Sequence, residues 1–144
     1  MNTPGFGNTI AALALAVLAA APAHAGPAGD ALSRCISTSL TKSDRTMLAK
    51  WMFVAMSAYP EARRLASIPD AQMDSLNRST AALFKGLIGK TCNDKAVAAI
   101  QTEGNKAVEE SFKLLPQLGV REMLENPGVA QQMQGLQKYM EDKK

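Results

Sequence analysis

The chain opens with an unbroken apolar stretch and then changes to a pattern in which apolar residues recur every three or four positions. Residues 10–21 carry no polar side chain, and Pro22 and the tripeptide Ala-His-Ala at 23–25 follow them. An apolar run of this kind before a small-x-small sequence is typical of a secretory signal peptide. We therefore predict a signal peptide over residues 1–25, cleaved after Ala25, and a periplasmic or secreted mature protein of residues 26–144.

The start of the chain departs from this interpretation in one respect. Residues 1–9 contain no Lys or Arg, whereas signal peptides usually carry positive charge before the apolar run. The alternatives are an uncleaved membrane anchor and a buried N-terminal helix. The run 10–21 is shorter than the ~20 residues that a transmembrane helix needs, so we expect no stable membrane span after cleavage.

Downstream of the leader, the three- and four-residue spacing is that of amphipathic helices. Prolines and capping residues divide this pattern, and sustained two-residue alternation does not occur. The predicted helices cover residues 31–39, 42–58, 60–66, 68–91, 95–115 and 117–125, with a last one from 127 onward. We therefore predict a single compact all-α domain of five to seven helices over residues 26–144.

Several residues predict how these helices begin and cross. The predicted N-caps are Asp30, Thr41, Ser67 and either Asn93 or Asp94. Thr41 and Ser67 each open a capping box with an Asp three positions later. Gly104 falls on the apolar stripe of the predicted helix 95–115. A glycine in that position predicts a close crossing of two helices.

Cys35 and Cys92 are the two cysteines of the chain, with 56 residues between them (92 − 35 − 1). In an oxidising compartment two such cysteines usually pair, which would link the N-terminal helix to the end of the third. Closing a loop of that size stabilises a fold by about 4 kcal/mol in the chain-entropy model. A redox-active pair is the alternative, but catalytic dithiols are normally close in sequence.

Charge and histidine content exclude several functions. The net charge of +3 is small and both signs are interspersed, which is not the footprint of a nucleic-acid-binding protein. His24, the one histidine, lies in the predicted leader. The mature chain therefore lacks the common general base and zinc ligand. We predict a protein that is not an enzyme, with no catalytic residues, no cofactor and no metal site.

Two further candidate sites, for copper and for acid–base catalysis, are better explained as core and surface residues. The methionines Met47, Met52 and Met56 contain soft sulfur ligands for copper(I), but apolar neighbours favour a role as core filler. Carboxylate pairs at helical spacing are interpreted as solvated surface, and a carboxylate-based hydrolase is the least favoured function. These pairs are Asp70 with Asp74 and Glu122 with Glu125.

The segment 47–59 is richer in apolar residues than one helix face requires. We expect it to be the central helix of the domain; the alternative is that part of it contacts a partner. The candidate interaction residues are Trp51, Phe53 and Tyr59, with Met133, Tyr139 and Met140 in the last helix. Exposed aromatic residues of this kind often anchor interfaces.

We therefore predict a non-enzymatic protein that binds a periplasmic or extracellular protein partner. It would resemble an inhibitor or immunity-type protein, or a chaperone-like accessory, in its mode of action. The alternative is a binder of a small apolar molecule or lipid, held in a cavity lined by Met and Leu.

Overall fold

Helices form all the regular structure in the described part of the chain, residues 26–141 of a computed structural model. The elements are α1 (Pro27–Ser39), α2 (Lys42–Ser57), α3 (Pro60–Arg63), α4 (Asp70–Gly86), a π-helical turn (Leu87–Thr91), α5 (Asn93–Glu103), α6 (Lys106–Phe112), α7 (Leu114–Leu124) and α8 (Pro127–Glu141). The predicted all-α class is confirmed, with α3 a single turn. The predicted signal peptide, residues 1–25, lies outside the described residues.

Local sequence explains how α2 begins. The Thr41 hydroxyl accepts a hydrogen bond from the Asp44 backbone N–H at 3.2 Å, and the Thr41 N–H donates to the Asp44 carboxylate at 2.9 Å. This reciprocal pairing is the predicted capping box, and it satisfies two backbone groups that a helix end leaves open.

The other predicted caps are wrong. Helix α1 begins at Pro27 instead of after Asp30, because proline has the right φ for a first helical position. Helix α4 begins at Asp70, since Pro69 has an extended backbone and Ser67 therefore stands outside the helix. Helix α5 follows Cys92 without a side-chain cap, so neither Asn93 nor Asp94 has the predicted role.

The predicted helix 95–115 is interrupted at Gly104. This residue has φ +78°, a left-handed conformation that favours glycine, and it ends α5. No neighbouring atom lies within 4 Å of a Cβ built on Gly104, so the predicted close crossing does not occur there. It occurs at Gly119 of α7, where a Cβ would lie 2.6 Å from the Leu48 carbonyl oxygen of α2.

The hydrophobic core lies between α1, α2 and the helices that follow the π-helical turn. Its fully buried side chains include Leu32, Ile36, Leu48, Cys92 and Leu115. The Cys35–Cys92 disulfide is confirmed, with its Cα atoms 5.9 Å apart. Cys92 lies between the π-helical turn and α5, so the bond joins α1 to that junction and not to the end of α4.

Helix α8 extends from this body. All residues from Gln131 to Met140 are exposed, and α7 is the element that α8 mainly contacts. Its apolar stripe of Val129, Met133, Leu136 and Met140, spaced by three or four residues, is therefore largely open to solvent. Within residues 26–141, no helix combines the length and the apolar content needed to cross a membrane.

Candidate protein-binding groove

One face of α2 forms the wall of an open groove. Lys42, Thr46, Ala49 and Phe53 are spaced by three or four residues, which places them on the same side of the helix, and all four line the groove. Lys50 and Val54 complete this wall. Phe53 is 50% exposed, so about half of a large aromatic residue is accessible to solvent.

Helices α4 and α7 supply the remaining walls. The residues beyond α2 that line the groove are Ile68, Gln72 and Leu76 on the α4 side, and Glu122, Met123, Asn126 and Val129 on the α7–α8 side. The volume of this open groove is about 660 Å³. We call this feature the α2–α4–α7 groove.

Polar contacts position the α7–α8 side of the groove. The Lys42 ammonium is paired with the Glu122 carboxylate, which joins α2 to α7. The Asn126 side-chain oxygen accepts hydrogen bonds from the backbone N–H groups of Gly128 at 2.9 Å and Val129 at 3.4 Å. Asn126 therefore caps α8 and places Val129 at the end of the groove.

The groove carries more positive than negative charge. Lys42 and Lys50 lie on its α2 wall, and Glu122 is the one carboxylate among its lining residues. Glu122 has a predominantly buried side chain and is held by Lys42. The surplus positive charge of the groove therefore belongs to α2.

Carboxylates elsewhere form ordinary ion pairs. Asp74 pairs with Arg78, and Glu125 pairs with Arg121, each one helical turn apart. Asp74 and Glu125 therefore match the interpretation as solvated surface. Glu122 does not, because its side chain is only 12% exposed.

Among the described residues, two carboxyl pKa values are lowered, both outside the groove. A side-chain hydrogen bond from Lys95 lowers the pKa of Asp94, and one from Lys113 lowers the pKa of Glu110. Lysine is the cause in each case, so these shifts reflect local ion pairs and not a site prepared for acid–base chemistry.

Trp51 lies in an aromatic cluster and not in the groove. Its ring meets that of Phe112 edge-on at 6.5 Å, and Phe84 meets Phe112 at 5.1 Å. The Trp51 indole N–H donates to the Asn77 side-chain oxygen at 2.9 Å. This cluster fastens α2 to α4 and α6, so Trp51 has a structural role.

The predicted interaction residues do not form one surface. Phe53 lines the groove, Tyr59 is exposed just before α3, and Met133, Tyr139 and Met140 are exposed along α8. Sequence reasoning missed the opposite walls, including Ile68, Leu76 and Met123. Leu76 belongs to a recognisable apolar stripe, but that pattern alone does not distinguish a groove wall from a core position.

Comparison with protein-family models, with curated proteins and with solved structures finds no match to this chain. Among residues 26–141, no group of three His, Cys, Asp or Glu side chains is arranged to hold a metal ion. Function must therefore be argued from the groove and its surroundings.

Proposed function

We propose that this protein is an exported, non-enzymatic binding protein whose α2–α4–α7 groove receives an amphipathic helix of a protein partner. The observation that carries the proposal is an open groove of about 660 Å³ with Phe53 half exposed in its wall. A partner helix that lays its apolar face into a groove is a recurring mode of recognition.

The length of the groove fits such a helix. From Lys42 to Phe53 the α2 wall covers eleven residue steps, or about 16 Å at the rise of an α-helix. Three turns of a partner helix cover the same distance and present apolar residues at four successive positions of one face.

Charge adds a second criterion for the partner. Lys42 and Lys50 stand on one side of the groove, so acidic residues that flank the partner's apolar face would meet cations there. Such complementarity contributes to orientation and association rate more than to affinity.

The shape of the groove favours a protein over a small molecule. Sites for small apolar ligands usually enclose most of the ligand's surface, and the alternative predicted a cavity lined by Met and Leu. The groove is open and includes one residue of each type, Met123 and Leu76. A bound lipid or other small apolar molecule is retained as the competing proposal.

The disulfide supports the exported location. Disulfides such as Cys35–Cys92 persist in oxidising compartments and are rare in the cytosol. The signal peptide predicted over residues 1–25 also supports an exported location.

Site-specific crosslinking tests the groove directly. A photoreactive residue would replace Phe53 in the full chain carrying its leader, and Val97, an exposed apolar residue of α5 outside the groove, would be replaced in the control. We expect an adduct from position 53 and not from 97, with the crosslinked peptide mapping to an amphipathic helix of the partner.

A synthetic peptide of that helix should then bind the purified mature protein. Because central aromatic anchors contribute about 2 kcal/mol or more, Phe53→Ala should weaken binding about 30-fold, whereas Val97→Ala should leave it unchanged. Native mass spectrometry of the same protein distinguishes the alternative. A small molecule that is bound to the wild-type protein but not to the Phe53→Trp variant would favour the ligand-binding proposal, provided that crosslinking also yields no peptide adduct.

A further inference from the structure

The first turn of α1 is capped by a side chain from the far end of α5. The Glu103 carboxylate accepts hydrogen bonds from the backbone N–H groups of Ala28 at 2.8 Å and Gly29 at 3.0 Å. Glu103 is the last residue of α5, so this contact joins two parts of the chain that are 75 positions apart in sequence. It also places negative charge at the positive end of the α1 dipole.

Gly26 lies directly against the same carboxylate. A Cβ at this position would stand 2.6 Å from the Glu103 Cδ. The two hydrogen bonds to α1 hold the carboxylate in place, so it cannot move aside without uncapping the helix. Gly26 has φ −68° and an extended ψ, a conformation that any residue adopts. The glycine is therefore needed for the close approach of Glu103 and not for the backbone conformation.

The backbone nitrogen of Gly26 is close to Glu103 for the same reason. Nitrogen and Cβ positions of one residue share the Cα atom, which places the Gly26 nitrogen within about 5 Å of the Glu103 carboxyl carbon. Opposite charges at this separation interact appreciably near a protein surface.

We infer that Gly26 becomes the N-terminal residue on processing, and that its new α-ammonium pairs with Glu103 and completes the cap of α1. This inference rests on the predicted cleavage after Ala25 and is independent of the groove. Hydrolysis breaks the bond between the Ala25 carbonyl carbon and the Gly26 nitrogen. Water supplies the oxygen of the new Ala25 carboxylate, and the Gly26 nitrogen becomes an ammonium.

Cleavage thereby changes the charge at one end of the bundle. Asp30 stands one helical turn after Gly26 on α1, and Lys106 begins α6 three positions after Glu103. The new ammonium adds one positive charge within about 5 Å of the Glu103 carboxyl carbon. The processed protein should be more stable than the same domain with its N-terminus extended.

The pair also makes a prediction about pH. The Glu103 carboxylate should raise the pKa of the Gly26 amine above the ordinary value of about 7.7–8.0. A raised pKa in the folded state means that the added stability is fully present below about pH 7.7 and is lost as pH rises through the folded value.

The test compares three oxidised forms of the domain. One begins at Gly26, the second retains Ala25, and the third begins at Gly26 with an acetylated nitrogen. Each is prepared with Glu103 and with Glu103→Gln, which keeps an acceptor oxygen for α1 but removes the charge. We expect the free Gly26 form to melt about 2–5 °C above the other two at pH 7, and this difference to vanish with Glu103→Gln.

The amine itself provides the second readout. Its pKa, followed by nuclear magnetic resonance of a Gly26-labelled sample, should fall by a measurable fraction of a unit when Glu103 becomes Gln. Equal melting temperatures of the three forms would contradict the proposed ion pair. An amine pKa that is the same with Glu103 and with Gln at this position would also contradict it. N-terminal sequencing of the exported protein should begin at Gly26, and any other first residue would overturn the processing step.

Discussion

Single glycines control how closely elements of this protein approach one another. Gly119 lets α7 contact the backbone of α2, and Gly26 lets a carboxylate reach the start of α1. Neither role is visible in the sequence, because the atom each glycine must avoid belongs to a distant segment. Gly104, whose position on an apolar stripe predicted a crossing, instead ends a helix through its positive φ.

Gly119→Ala should destabilise the fold. The added Cβ would lie 2.6 Å from the Leu48 carbonyl oxygen, a backbone atom that moves only with α2. Overpacking of this kind costs typically 1–3 kcal/mol, measured by urea denaturation.

Gly135→Ala is the matched control. Nothing lies within 4 Å of its Cβ position in α8, and replacing a mid-helix glycine by alanine favours the helix by roughly 0.5–1 kcal/mol. A Gly119→Ala variant as stable as the wild type would show that α2 and α7 are not in contact at this point.

At the scale of helices, the sequence predicts the main segments well and their junctions poorly. The Thr41 capping box and the prolines at 60 and 127 mark helix starts that the structure confirms. The Ser67 box has the same residue types, but the extended backbone at Pro69 excludes it. The spacing of apolar residues thus predicts helix interiors. Helix ends also depend on the backbone conformation of neighbouring residues, such as the extended Pro69.

The groove could be predicted only in part. Phe53 was identifiable because apolar residues in segment 47–59 exceed one helix face. Ile68 and Met123 were not, since their place depends on how α4 and α7 pack beside α2. The groove forms only when tertiary packing brings three separate segments together, so the sequence of any one segment does not predict it.

Helix α8 should contribute little to the stability of the domain. Its residues from Gln131 onward to Met140 are all exposed, with Tyr139 73% accessible. Ending the chain after Ala130 should therefore shift the melting temperature by less than about 2 °C, followed by circular dichroism. A larger loss would mean that the apolar face of α8 is covered in solution, and sedimentation analysis of both chains would show whether a second copy covers it.

At the scale of the whole molecule, the disulfide joins α1 to the rest of the core. Cys35 lies in α1 and Cys92 before α5, 57 positions apart, while the groove is built from α2, α4 and the α7–α8 junction. The disulfide and the proposed binding groove therefore lie in different parts of the fold.

Replacing both cysteines by alanine should lower the free energy of unfolding by about 4 kcal/mol, measured by urea denaturation, while the far-UV helical signal persists at low temperature. Reduction of the wild-type protein should produce a similar loss. Under conditions where the variant is folded, peptide binding in the groove should be unchanged. A variant with wild-type stability would contradict a stabilising role for this bond.

The contact at Gly119 has a consequence for the kinetics of recognition. Because α7 rests on the backbone of α2, two walls of the groove are already in place before any partner arrives. A receptor formed in advance loses little conformational freedom on association. For the proposed partner helix, changes to the apolar side chains of the groove should then act mainly on the lifetime of the complex and much less on the rate at which it forms.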